Sequence, residues 1–268
     1  HDLRRAGLSK VFVGLESGCP SQLARYRKGF TTGDAARAIA VLRDAGLPCE
    51  YGFIPFDPLM SLNELQESLD FVKTHRLVNH VSAVYKELRI HDGIGYIDLI
   101  RTAETEEGTR ILGALDFDAQ EYGVERYGDG DVEFIRQTMG PWCQVGYRLY
   151  YLLRIYTQYA RTPGPPASDA WKVRDLCRVT VHAVRLCEFG TLRRLVDLLK
   201  EQGRAHRKTA SLMLEAELHR RQCLRTLSDG LTGSHALPQV CEIGGEVLQY
   251  LKGSDTYLDD LASVAERC

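Results

Sequence analysis

The feature that most constrains this chain is the alternation in its first 115 residues. KVFVGL (10–15) is a short apolar run, and TTGDAARAIAVLRDAGL (31–47) has helical spacing through Ala35, Ala38, Ile39 and Leu42. Thr31 with Asp34 caps the start of that helix and Gly46 ends it. CEYGFIPF (49–56) reads as a second strand. SLNELQESLDFVKTHRL (61–77) reads as a second helix, with Ser61 and Glu64 at capping-box spacing and Leu62, Leu65, Leu69 and Val72 on its apolar face. HVSAVYKELRI (80–90) is a third strand, interrupted by Lys86, Glu87 and Arg89. Helices placed between strands act as crossovers, so the strands are expected to pair in parallel. In such sheets functional residues gather at the carboxyl ends of the strands, where Glu16, Asp57 and His91–Asp92 fall. Three strands leave an open edge, so further strands are expected before residue 1 or in another chain.

From about residue 116 the pattern turns helical, giving an expected division into 1–115 and 116–268. YGDGDVEF (127–134) is turn-rich. PWCQVGYRLYYLLRIYTQYA (141–160) reads as a tyrosine-rich helix. Further helices are expected at 170–189, 191–202, 205–224, 240–251 and 257–266, with loops at 161–169 and 228–238. The fold class on this reading is α/β with parallel strands, followed by an all-helical region.

The charge of -2, from 34 basic and 36 acidic residues, gives no bulk-charge reason to expect a nucleic-acid or membrane partner. No apolar run approaches the roughly 18–20 residues of a membrane span. The opening HDLRRAGLSK lacks the apolar segment of a signal peptide and reads as the start of a fragment. The eight cysteines (19, 49, 143, 177, 187, 223, 241 and 268) show no CxxC spacing, which suits a reducing, cytoplasmic compartment.

The strand ends hold the candidate chemistry. Glu16 sits in GLESG (14–18), where glycine lets backbone approach a ligand. A carboxylate there accepts hydrogen bonds from a vicinal diol such as a ribose; alternatively it caps the next helix or pairs with Arg25 or Lys28. RYRKG (25–29) places Arg25, Arg27 and Lys28 together, either as a clamp on an anionic group or as a solvated face. In GFIPFDP (52–58) two prolines stop the ladder, and the backbone released there can read the edge of a planar ring. Asp57 is either a ligand contact or an Asx-turn residue. His91 and Asp92 are a base with its orienting acid, or plain polar contacts. No phosphate loop, GxGxxG, GxSxG or zinc pattern is present.

Taken in order, GLESG, then KG–T (28–31), LRDAG (42–46) and GFIPFDP opening SLNELQESLDF resemble the C-terminal half of a radical S-adenosylmethionine enzyme, of the variety that also carries an N-terminal cobalamin-binding domain. The resemblance covers about residues 3–100. It implies half of a partial (β/α) barrel, an iron–sulfur cluster held by three cysteines in CxxxCxxC, and cleavage of S-adenosylmethionine to a 5′-deoxyadenosyl radical that attacks a small-molecule substrate. Carried onto this chain, Glu16 and Ser17 would hold the ribose or amino end of the cofactor. Lys28 or Arg27 would face its carboxylate, the backbone at Phe53 and Ile54 would contact adenine, and Asp57 would stand beside them, with His91 and Asp92 toward the substrate. CxxxCxxC is absent, and Cys19 and Cys49 do not replace it. Pro55–Phe56 stand where the family has a small residue. The chain alone is therefore expected not to make a radical, and the N-terminal half of the barrel is its expected partner. The alternatives are a cluster-free module whose helical half mediates assembly, and an acid–base enzyme using His91 and Asp92.

Overall fold

The computed structural model describes residues 2–8, 10–159, 168–231 and 238–267. The expected loop at 161–169 lies largely outside them, as do the tip of the loop at 228–238 and Cys268. The chain divides into two compact units, 1–137 and 138–268.

The first unit opens with a short helix, α1 (Asp2–Arg5), and a strand, β1 (Val11–Glu16). Two helices follow, α2 (Pro20–Arg25) and α3 (Thr32–Asp44), before β2 (Cys49–Phe53) returns parallel to β1. Register runs from Val11 opposite Cys49 to Gly14 opposite Gly52, then slips at a bulge so that Glu16 faces Phe53. The other edge of β1 bears no strand among the described residues, and Phe12, 65% exposed, lays its ring over Gly52 of β2. Helix α4 (Leu62–Thr74) follows β2. Both α3 and α4 begin in the expected capping boxes, Thr31 with Asp34 and Ser61 with Glu64, and both bury the expected faces, Ala35 and Ile39 in one and Leu65, Leu69 and Val72 in the other.

The third strand differs from expectation. Residues 80–90 touch β2 and the segment just after it at two isolated parallel bridges, Tyr51 with Val81 and Phe56 with Glu87. At the first, Tyr51 N–H donates to His80 O at 2.8 Å and its carbonyl accepts from Ser82 at 2.7 Å. At the second, Phe56 N–H donates to Lys86 O at 3.2 Å and its carbonyl accepts from Leu88 at 2.8 Å. Pro55, which has no N–H, stands between them and interrupts the ladder. The described parallel sheet is thus small, and a barrel is not closed by these residues.

The chain then forms β3 (Ile90–His91), α5 (Tyr96–Glu107), β4 (Leu112–Asp116) and β5 (Glu121–Val124), an antiparallel sheet in the order β3-β5-β4. The hairpin corrects the expectation that everything after 116 is helical. Its turn has no glycine to announce it: Asp116 Oδ1 accepts from the N–H groups of Asp118 (2.9 Å) and Ala119 (3.0 Å), and Gln120 takes the left-handed position at φ 53°. Helix begins at α6 (Gly130–Val145), where Asp129 Oδ1 accepts from Asp131 at 2.8 Å.

In the second unit the tyrosine-rich helix is interrupted. Pro141 lies inside α6, and a new helix, α7 (Tyr147–Tyr159), starts after Gly146. A Cβ at Gly146 would lie 2.4 Å from the Tyr150 ring, which occupies that space. Conversely, the two helices expected at 170–189 and 191–202 are one, α8 (Ser168–Gln202), since a lone Gly190 costs only ~1 kcal/mol in a helix. Then come α9 (His206–Leu231), α10 (Pro238–Gly253) and α11 (Asp255–Arg267). Leu149, Leu153, Val173, Cys177, Leu224, Leu227, Ile243 and Val247 form the shared core of α7 to α10. No described helix is long and apolar enough to cross a membrane.

Candidate functional site

The end of β1 is a sharp reversal. Ser17 N–H donates to Leu15 O at 2.7 Å, and Glu16 between them has φ 62°, so Glu16 is the corner of a γ-turn of the strained, positive-φ kind. The Glu16 carbonyl accepts from Ile54 N–H at 2.7 Å, which fastens this corner to the residue after β2. Its carboxylate, about a quarter exposed, folds back over Gly14, where a Cβ would lie 2.6 Å from Oε1. Gly18 serves a different purpose from ligand approach: a Cβ there would lie 2.3 Å from the Cβ of Phe71, so glycine lets the turn pack directly on α4.

Helix α2 then returns a cation to that carboxylate. It ends in a Schellman motif, with Arg27 N–H donating to Ala24 O at 2.9 Å and Lys28 N–H to Leu23 O at 3.0 Å. The motif puts Arg27 in the left-handed region at φ 52°. Lys28 emerges pointing back, and its Nζ donates to Glu16 Oε1 at 3.1 Å. Arg27 is exposed, and its guanidinium lies 3.9 Å from where a Cβ on Gly95 would stand. Glu16, Lys28 and the Phe53–Ile54 backbone are therefore brought together.

Ser17 and Asp57 lie behind this surface, not on it. Ser17 is fully buried; its hydroxyl donates to Gln22, accepts from Cys19 N–H at 2.9 Å and lies 3.1 Å from the Ser68 hydroxyl. Asp57 is also fully buried, and its Oδ1 accepts from Leu59 N–H at 2.8 Å, the Asx-turn alternative. Arg25 Nη2 lies 3.2 Å from Asp57 Oδ2, and the Tyr96 hydroxyl donates to Oδ1. Arg25 also grips Glu64 with both terminal nitrogens, at 2.7 and 2.9 Å. Burial works against the Arg25 charge, but the Glu64 hydrogen bonds and the Asp57 carboxylate outweigh it and hold the guanidinium firmly protonated. Burial and the Asp57 charge push the Tyr26 and Tyr96 phenols up, so both stay neutral donors. This Arg25–Asp57–Glu64–Tyr96 network was not readable in advance. Glu64 carries only its helix-capping signal, and nothing local in the sequence marks Tyr96.

His91 and Asp92 do not form a base and orienting acid. His91 ends β3, whereas Asp92 stands in the turn that follows it. His91 Nδ1 instead lies 3.2 Å from Glu121 Oε1 across the β3–β5 ladder, and Glu121 also pairs with Arg89. Asp92 uses its N–H on Gln120 O at 2.8 Å.

The donor set at Glu16, Lys28 and Ile54 fits a nucleoside bearing an anionic group: a carboxylate for a diol, an ammonium for a carboxylate, and an interrupted ladder for a base edge. It does not fit an iron–sulfur cluster. Cys19 is buried with its thiol against Glu67 at 3.2 Å, burial pushes its pKa up, and no group of three metal-ligating side chains occurs among the described residues.

No family model matches the chain. It is 40% identical over 74 residues to the 4′-phospho-dehydrooxetanocin synthase of Priestia megaterium, a stretch that is 27% of this chain and 10% of that protein. The cobalamin-dependent S-adenosylmethionine radical enzyme OxsB, solved with aqua-cobalamin and S-adenosylmethionine bound, superposes with a TM-score of 0.66 at 17% identity, over 93% of this chain and 42% of that one. Its apo, selenomethionine-labelled form gives 0.64 at 16% identity, over 91% and 40%. The chain thus spans a minor part of the relatives it matches. Over nine-tenths of its own length, it is similar in fold to about two-fifths of a cobalamin-dependent radical S-adenosylmethionine enzyme.

Proposed function

We propose that this chain is the C-terminal part of a radical S-adenosylmethionine enzyme, and that its own task is to grip the nucleoside end of that cofactor. The observation that carries this reading is the Glu16–Lys28 pair held against Ile54 at the end of a parallel strand. On binding, the ribose diol displaces Lys28 from Glu16, and Lys28 turns to the carboxylate of the cofactor. Polar atoms at the Pro55 interruption face the adenine edge. Arg27 adds positive charge at the rim, while Ser17 and Asp57 support the turns from behind. His91 and Asp92 line the approach of a small-molecule substrate. The iron–sulfur cluster is held by residues outside this sequence, on the N-terminal half of the barrel that completes the β1 edge, and cobalamin, where it is used, by a separate N-terminal domain. Bound S-adenosylmethionine, reduced there, supplies the radical chemistry for a methylation, rearrangement or oxidation.

Similarity to OxsB supports the reading, and so does the 40% identity with a 4′-phospho-dehydrooxetanocin synthase over 74 residues. The test is calorimetry of S-adenosylmethionine binding to the whole reconstituted protein. Glu16→Ala is expected to weaken binding by about 1–3 kcal/mol, the cost of unpairing a charged hydrogen bond. Unchanged affinity would remove Glu16 from the site.

A further inference from the structure

Arg25 has no part in the grip just described, yet it is the most heavily engaged cation near it. We infer that Arg25 is a positioning residue: it fixes α2 so that the turn after it delivers Lys28 to Glu16. The inference deepens the proposed role of Lys28 and rests on that reading only for its binding readout.

Helix α2 has six residues, and its N-cap residue Cys19 makes no side-chain cap. A helix so short has little stability of its own. The turn at its C-terminal end is strained, because Arg27 occupies the left-handed region that glycine normally fills. Such strain persists only where the surroundings over-determine it. Arg25 supplies that determination from the last turn of α2. Two of its nitrogens engage Glu64, at the first turn of α4, and one also reaches Asp57, which Tyr96 and Leu59 N–H hold in turn. The anchor and Lys28 are three residues apart, with the strained turn between them. The charged groups around the anchor are Asp57 and Glu64, while Lys28 faces Glu16, so Arg25 acts on Lys28 through backbone geometry and not through a shared carboxylate.

The first experiment measures the acylation rate of each lysine by an amine-reactive ester, read by peptide mass spectrometry, together with the thermal midpoint. Arg25→Gln is expected to raise Lys28 labelling to the rate seen in Glu16→Gln while Lys10 and Lys73 keep theirs. Arg25→Lys, which keeps the charge but cannot engage both carboxylates, is expected to fall between. Where Arg25→Gln speeds every lysine, the variant has unfolded and Arg25→Lys decides. Lys28 labelling unchanged in the folded variant overturns the inference. The second experiment is a double-mutant cycle in the whole protein, with S-adenosylmethionine as the probe. Arg25→Gln is expected to weaken binding about tenfold beside wild-type Lys28, and not at all beside Lys28→Gln. Equal loss in both backgrounds also overturns the inference. A parent protein that binds no S-adenosylmethionine refutes the proposed function instead, and the labelling result still decides Arg25.

Discussion

Arg220→Met is the most informative single perturbation of the helical unit. Arg220 is 1% exposed and lies among Glu217, Glu188 and three aromatic rings. Its Nη2 stands 3.0 Å from Glu217 Oε2 and its Nη1 stands 3.6 Å from Glu188 Oε1. Its carbon centre lies 4.2 Å from the Trp142 ring centroid and 5.1 Å from that of Tyr250. Glu217, wholly buried, also accepts from Trp142 Nε1 at 2.9 Å and from the Tyr250 hydroxyl at 2.8 Å. Methionine fills most of the volume but removes the guanidinium from Glu217 and from Glu188, which keeps only the Arg185 charge near it. Removing one partner of a buried ion pair costs about 3–5 kcal/mol, a large part of the roughly 5–15 kcal/mol that holds a domain. The sign with pH follows from the carboxylates. Burial already pushes the Glu188 carboxyl up against the pull of Arg220, and loss of Arg220 pushes it further. A folded-state pKa above the unfolded one favours the protonated native form, so the stability it contributes is present at low pH and is lost as pH rises through the folded value. The deficit of Arg220→Met is therefore expected to be larger at pH 8 than at pH 5. The assay is urea unfolding at both pH values, followed by circular dichroism and tryptophan fluorescence. A loss under about 1 kcal/mol, or one that does not grow with pH, refutes the assignment of Arg220 as the essential counter-charge.

Other outcomes can be checked alongside. Gly18→Ala places a Cβ 2.3 Å from the Phe71 Cβ, so it should cost about 1–3 kcal/mol by overpacking, read as a lower thermal midpoint. Arg76→Gly should stabilise by about 0.5–1 kcal/mol, because Arg76 holds a left-handed C-terminal position of α4 at φ 54° and is exposed; denaturant unfolding measures it. Iodoacetamide on the native chain should modify exposed Cys241 early. It should spare Cys19 and Cys177 until unfolding, since both are buried and burial pushes the Cys177 thiol up to about 12.

How far the sequence could be read depended on whether a signal was local. The capping boxes at Thr31 and Ser61 involve residues three apart, and both helices begin where those pairs place them. The parallel pairing of β1 with β2 followed from the crossover between them. Failures came where the packing around a residue decided. Gly146 interrupts a helix because Tyr150 takes its space, whereas Gly190 meets nothing and the helix runs on. The third strand falters opposite Pro55, a residue on another segment. At the candidate site, Glu16 and Lys28 are found together, one of the pairings weighed from their types. Ser17 and Asp57 are the right polar residues at a strand end, yet burial turns both inward, and one sequence has no local signal for which face of a turn is covered.

The side of β1 that bears no strand among the described residues has a consequence for handling the protein. A strand edge that no described strand covers offers a row of amides and carbonyls, a seam to which another strand can add. Produced without such a strand, two copies can zip together along it. The solubility of the isolated chain then reports on whether that seam has been closed, before any chemistry is assayed.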